Sequence, residues 1–462
     1  MVGAGPNGLA AAIVLAQAGF RVDVFEAEAV PGGAARTLEL TLPGFRNDFG
    51  SAVHPMAAGS PFFSSLPLAN HGLEWIHSPS ALAHPLDDGT AVLLDRDFAV
   101  TGETLGRDAR AWRRLLEPFA RKWPVLAREV LAPIHIFSRH PFLLARFGLA
   151  ALPPANTVAN FCFRDGRAKA LFAGLAAHSF LSLDEPLSAA FGTLLGAAAH
   201  AVGWPIPRGG AQSITNALIG YLESLGGRVH TSSKIEKLSD APRVTLCDIT
   251  PRQLLGLADT NLSGAFRSKL ERFRYGMGVF KVDYALSSPL PWKAKECARA
   301  ATVHLGGTAE EISASELEGR NGNHADRPFV LVAQPSLFDP SRAPEGKHTA
   351  WTYCHVPNGS TVDMLERLEN QIERFAPGFR DCVMARRVFS PAALEAMDAN
   401  LVGGDINGGA VDAGQFLFRP TMRHYATSSR KIYLCSSSTP PGGAVHGMCG
   451  YHAAKLALSR LG

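Results

Sequence analysis

The stretch Gly3-Ala4-Gly5-Pro6-Asn7-Gly8 decides how this chain is read. It fits G-x-G-x-x-G and runs directly into the Ala-rich segment Leu9 to Ala18. That segment stops at Gly19, ahead of Arg21-Val22-Asp23-Val24-Phe25-Glu26. A glycine turn, a helix and a short strand ending in an acid are the parts of a dinucleotide-binding unit. Gly3 allows the tight turn. Gly5 removes a side chain so that backbone N–H groups, those beside Pro6 and Asn7 included, reach a pyrophosphate. Gly8 lets the helix pack on the sheet with its positive end aimed at the phosphates. Glu26 is placed to accept from a ribose diol, and its charge disfavours a 2′-phosphate and hence NADP. Only Met1 and Val2 precede Gly3, whereas a first strand takes about five residues. The expectation is that several apolar residues rich in Val and Ile belong upstream.

Two more segments move the reading from NAD to FAD. Pro31-Gly32-Gly33-Ala34-Ala35-Arg36-Thr37 follows the ribose acid at once. Gly32 and Gly33 permit a second close backbone approach, and Arg36 offers a fork for phosphate or a flavin edge. At the far end, a strand over Lys431 to Cys435 leads through Ser436, Gly442, Gly443, Gly447 and Met448 into a last helix over Gly447 to Leu461. A second strand–Gly-loop–helix has no place in a simple NAD domain. A helix N-terminus beside the pyrimidine side of a flavin stabilises the negative charge of the reduced ring.

The 462 residues exceed what one core holds, so two domains and a helical lobe are expected. The reading divides them into 1–78, 207–260 and 403–462 for the FAD-binding domain, 79–206 for a helical lobe, and 261–402 for a substrate domain with an antiparallel sheet. Strands are expected at Arg228 to His230, Arg243 to Asp248, Tyr275 to Leu286, 329–333 and 349–354. The fold class is thus α/β, with a Rossmann-like unit of the glutathione-reductase type beside an α+β domain. A net charge of +4 over this length gives no case for nucleic acid. The seven cysteines form no Cys-x-x-Cys pair, and no spaced metal ligands stand out. With no basic and apolar leader ahead of the glycine turn, a cytoplasmic location is expected. The uncharged stretch Pro186 to Pro207 is read as a buried helix. Gly192 and Gly196 within it suit close approach of a backbone or a flat ligand.

Together these residues resemble the phytoene-dehydrogenase-like FAD oxidoreductases, and within them the pyridine nucleotide-disulphide oxidoreductase domain-containing protein 2 group. Asp48-Phe49-Gly50-Ser51-Ala52-Val53-His54-Pro55, Pro207-Arg208-Gly209-Gly210, Tyr353 to Pro357 and Gly403-Gly404-Asp405-Ile406-Asn407-Gly408-Gly409 carry the resemblance with the three glycine segments. It implies FAD held by discontinuous segments and a sheet over the flavin. It also implies that Ile235 meets the adenine through its backbone. Ser436 and Ser437 stand where many relatives carry an acid, and only Lys237 to Pro242 remain for a hairpin common in the group.

Flavin N5 accepts a hydride with little acid–base help, so no catalytic residue need stand out. His54 and His446 are the best polar candidates, each weighed against a histidine satisfied by backbone; His355 and Asn407 are candidates for the substrate cavity. The leading reading is an enzyme that dehydrogenates or isomerises a small lipophilic, isoprenoid-like substrate, with oxygen or a quinone as electron acceptor. A flavin amine oxidase and a flavin-free prenyl- or protein-binding module, like Rab GDP-dissociation inhibitors, are the alternatives. Ile134 to Leu152 is apolar and basic, and suits either a membrane surface or a core-packed helix.

Overall fold

The computed structural model describes residues 1–133, 138–238, 244–258, 261–416 and 418–461. Parts of three expected features, Arg243, the short hairpin and Ile134 to Phe137, lie outside these residues. The nucleotide sheet grows from the glycine turn. Val2 bridges Phe25 on one side and Cys247 on the other, both in parallel. Asp23–Phe25 pairs with Arg228–His230, and Thr245–Cys247 with Ile432–Leu434, again in parallel. The Val2 N–H donates to the Leu246 carbonyl at 3.0 Å, and the Val2 carbonyl accepts from the Asp248 N–H at 2.8 Å. Five segments from distant parts of the chain therefore end at one edge, where open parallel sheets bind ligands.

Helix Pro6–Gln17 is apolar all round from Leu9 to Leu15 because it is covered on both sides. It packs against the sheet, Gln212–Ser224 and Met448–Ser459. A Cβ on Gly450 would lie 1.8 Å from the Asn7 carbonyl oxygen, so only glycine lets the first and last helices meet.

The second sheet has seven strands in the order 383–389, 278–286, 348–356, 330–333, 300–305, 80–85, 91–94. All neighbours are antiparallel except 300–305 with 80–85. The segment 79–206 thus begins as two strands, Ser80–Pro85 and Ala91–Leu94, that belong to the substrate sheet; among the described residues its elements from Phe98 to Val202 are helices, and Ile206 opens a short strand. Both strands are buried throughout, which erases the alternation by which a strand is recognised. One face of this sheet, including Phe280, Val282 and Tyr284, packs on helix Leu365–Phe375. Its other face looks toward the nucleotide domain.

The stretch Pro186 to Pro207 holds the helix Ser188–Val202. Gly192 admits the ring of Phe172, and Gly196 the side chain of Leu116, so side chains and not a flat ligand occupy that space. Among the described residues no single helix is long and apolar enough to cross a membrane.

Candidate functional site

A cavity of about 670 Å³ lies between the two sheets and the helical lobe, within the range of small-molecule sites. Its nucleotide side is lined by Gly5, Pro6, Asn7 and Gly33, its C-terminal side by Ser436, Gly443 and His446, and His54 lies on the wall between. Three segments that sequence joined only by motif therefore meet at one place.

Around the glycine turn the N–H groups meet acids. The Ala4 N–H donates to Glu26 Oε2 at 2.8 Å, and the Glu28 N–H to Glu26 Oε1 at 3.0 Å. Gly3 donates to the Phe25 carbonyl at 2.8 Å. The Gly8 N–H donates to Asp248 Oδ2 at 2.8 Å, so a carboxylate from the strand Thr245–Cys247 caps the first turn of the helix. A Cβ on Gly5 would stand 2.6 Å from that same oxygen. Burial pushes Asp248 up to about 7, and nearby Asp398 and Glu26 push the same way against the Gly8 bond. Sequence reasoning missed Asp248, although it follows a strand parallel to the glycine strand as Glu26 does.

Arg36 corrects an expectation. It is buried, but Nε donates to the Gly33 carbonyl and a terminal nitrogen to the Met397 carbonyl, each at 2.7 Å, and its guanidinium lies 5.0 Å from the Phe49 ring centroid. It braces the second glycine loop and is not part of the cavity wall. A buried cation on the wall near the last loop is Arg419, which donates to the carbonyls of Asn407 and Ser437 at 2.9 Å each and leaves Nε without a partner. Gly32 sits against Thr215 and Ala35. Ile235 is half-buried, packs with the cluster of Val2 and Cys247, and lies off the wall. Gly442, Gly447 and Met448 lie behind the wall and shape the last loop.

Both histidine candidates are on the wall and both are buried. Burial holds each neutral, at about 4. His446 Nδ1 accepts the Met448 N–H at 3.0 Å, and the His446 carbonyl accepts from Ser60 at 2.7 Å. It caps the last helix, and its proton sits on Nε2. The backbone N–H of His54 donates to the Pro205 carbonyl at 2.9 Å, and the ring Nε2 has no partner. Ser436 Oγ donates to the Ile249 carbonyl at 2.8 Å, tying two strand ends together. His355 is off the wall: Nδ1 lies 2.7 Å from Glu316, and its ring centroid lies 3.9 Å from that of Phe180. Asn407 lines the cavity as expected.

The substrate sheet forms the facing wall. Strand register aligns Lys281, Tyr353, Leu331 and His304 in one row, and Asp283, Trp351, Ala333 and Thr302 in the next. Lys281 and Asp283 share a face because they are two apart on a strand. They form a fully buried ion pair, and the Lys281 ammonium lies 5.7 Å from the Trp351 ring centroid. Burial lowers Lys281 and raises Asp283 to about 6, bringing both toward neutral. A lone Lys inside Gly278–Leu286 was the available sequence signal. The lobe side is mainly apolar, with Leu144, Phe147, Ala151, Phe191 and Leu194.

Asn7 Oδ1, Arg419 Nε and Ser438 Oγ are buried without hydrogen-bond partners on residues of this wall. A polar ligand spanning the glycine turn and the last loop fits them, as FAD does.

Residues 7–264 match the model of the flavin containing amine oxidoreductase family. The chain is 26% identical to pyridine nucleotide-disulfide oxidoreductase domain-containing protein 2 of Rattus norvegicus, across all of this chain and 93% of that one. It is 26% identical to all-trans-zeta-carotene desaturase of Myxococcus xanthus, across 84% of this chain and 80% of that one. A solved oxidoreductase from Methanosarcina mazei superposes with a TM-score of 0.67 at 17% identity, covering 99% of each chain. These matches set aside the flavin-free binding module. The chain belongs to the flavin containing amine oxidoreductase family and is a phytoene-desaturase-like oxidoreductase that uses FAD.

Proposed function

We propose that the protein dehydrogenates a small lipophilic, isoprenoid-like substrate and passes the two electrons to oxygen or a quinone, or isomerises such a substrate with the electrons returned to it. The observation that carries this reading is the mainly apolar lobe side of the cavity, where Leu144, Phe147, Ala151, Phe191 and Leu194 offer a hydrocarbon a wall interrupted by Glu129 and His178. The Myxococcus xanthus relative, a carotene desaturase, is consistent with it. The wall also carries the carboxyl groups of Glu129, Asp248, Asp398 and Asp405, so an amine is the competing substrate class that the experiment below must separate from a lipid.

In this reading the FAD domain is of the glutathione-reductase type, assembled from residues 1–78, 207–260 and 403–462, with 261–402 as the core of the substrate domain. Its support is that the four strands of the nucleotide sheet, and Val2 that bridges them, fall in the first three segments. Gly5, Gly33, Ser438 and Arg419 would hold the cofactor, with Glu26 at the ribose. Bound FAD supplies a two-electron oxidant that takes up a hydride. The chain itself orients the substrate against the sheet through Trp351, Tyr353 and Leu331, and excludes water with the lobe. Lys281 Nζ is the group on that wall able to hold or release a proton, since burial lowers its affinity and Asp283 stands ready to share it.

Anaerobic mixing of the oxidised protein with polyene and isoprenoid lipids tests the reading. It predicts loss of the oxidised-flavin absorbance and its return on adding oxygen or a quinone. Bleaching by a panel of amines, with none by the lipids, overturns it.

A further inference from the structure

We propose that the helical lobe docks on an anionic lipid bilayer through helix Pro141–Ala151, placing the mouth of the cavity at the membrane surface. The helix has an outward stripe at 142, 145, 146, 149 and 152, the spacing of one helical face. Phe142 is 90% exposed and Leu149 81%. Phe161, on helix Ala155–Cys162 bent 97° from the first, is also 90% exposed. Large apolar side chains so fully open to water on two consecutive helices mark an interaction surface. The opposite side of the same helix belongs to the cavity, through Leu144, Phe147 and Ala151. Leu152 does both: it lines the cavity and is exposed, so the outer apolar surface is continuous with the inner one.

Charge selects the occupant. Residues 107–169 contain twelve Lys and Arg against four Asp and Glu, a net of +8. The whole chain carries only +4, so everything else sums to −4. Arg139 and Arg146 are exposed within or beside the stripe, and Arg146 donates to the Arg114 carbonyl at 3.2 Å, joining it to the Arg113 and Arg114 region. Apolar side chains flanked by arginines are the composition of a helix that lies in the lipid headgroup plane with its apolar face buried ~5–10 Å. A second copy of this chain would bring a second segment of net +8, with its own Arg139 and Arg146, onto the first, which repels. An anionic bilayer neutralises it. The docking surface stands on exposure and charge alone, and its test reads binding, so failure here leaves the substrate reading to its own experiment.

The FAD-loaded protein is mixed at low salt with vesicles of phosphatidylcholine alone or with phosphatidylglycerol added. Sedimentation with the anionic vesicles is expected, weakened by salt. Arg139→Gln with Arg146→Gln should lower partitioning about 30-fold, near 5-fold for each charge. Phe142→Ser with Leu149→Ser should abolish binding while leaving flavin absorbance and circular dichroism unchanged, because both side chains face outward. Absence of sedimentation with anionic vesicles overturns the proposal. So does a concentration-dependent dimer that the serine variants disperse while vesicles capture nothing.

Discussion

Replacing Asp248 by Asn removes a negative charge beside the glycine turn and leaves its shape. The amide oxygen still accepts the Gly8 N–H, now held by Asp248 Oδ2 at 2.8 Å. What changes is the cost of keeping a carboxylate there. Burial, with Asp398 and Glu26 adding repulsion, moves Asp248 from an ordinary 3.8 to about 7. At about 1.4 kcal/mol per pH unit, that is about 4 kcal/mol of disfavour for the ionised form, an upper figure since the surroundings relax. The sign follows from proton counting. Between pH 4 and 7 the folded protein holds a proton that the unfolded chain has lost, so the Asp248 contribution to stability falls as pH rises and levels off above 7. Asn has no such slope. Asp248→Asn should therefore match the parent near pH 4 and exceed it by about 2–4 kcal/mol at pH 8. Urea unfolding of the FAD-stripped protein from pH 4 to 8 measures this directly. Flavin provides a second readout: the diphosphate brings more negative charge to the same turn, so the variant should bind FAD more tightly at pH 8 and about equally at pH 5. Parallel stability curves for parent and variant across the whole range would refute the reasoning. A variant destabilised equally at every pH would show instead that the carboxylate is needed for packing.

Glu26→Ala strands the buried Ala4 N–H, at about 1–3 kcal/mol, while the Glu28 N–H is open enough to turn to water; the folded variant should purify with less FAD, and unchanged flavin content would mean the ribose assignment is wrong. Lys281→Met and Asp283→Asn each leave the other charge buried and alone, so each should cost about 3–5 kcal/mol. The double variant Lys281→Met with Asp283→Leu should recover much of that, and simple addition of the two losses by urea unfolding would speak against a coupled pair. Gly450→Ala drives a methyl into the Asn7 carbonyl at the contact of the first and last helices. It should cost at least the upper end of the usual ~1–3 kcal/mol for overpacking, and an unchanged denaturation midpoint would show that these helices separate readily.

What sequence made legible here is what backbone geometry compels within a few residues. The glycine turn, its helix and Glu26 are local: Gly3 has φ +89° and donates to the Phe25 carbonyl, so the turn and the acid-ending strand are one unit that a short window contains. What it hid is what depends on partners far along the chain. Arg36 was read as a fork for the cofactor, and its fork is used by Gly33, three residues away, and Met397, 361 residues away; no local pattern announces the second. Asp248 reaches Gly8 across 240 residues, yet it obeys the rule that located Glu26, an acid directly after a parallel strand of the nucleotide sheet. The strands Ser80–Pro85 and Ala300–Leu305 escaped because they are buried throughout, and a strand covered on both faces loses its alternation. Lys281 and Asp283 invert that case. Their strand is equally buried, but a lysine and an aspartate two residues apart must share one face, and apolar neighbours at 280, 282 and 284 must share the other. Two charges on one face of an otherwise apolar strand have to be paired once that strand is buried, so Lys281 and Asp283 were the local signal that this face is not ordinary core; that it is the cavity wall depends on partners far along the chain.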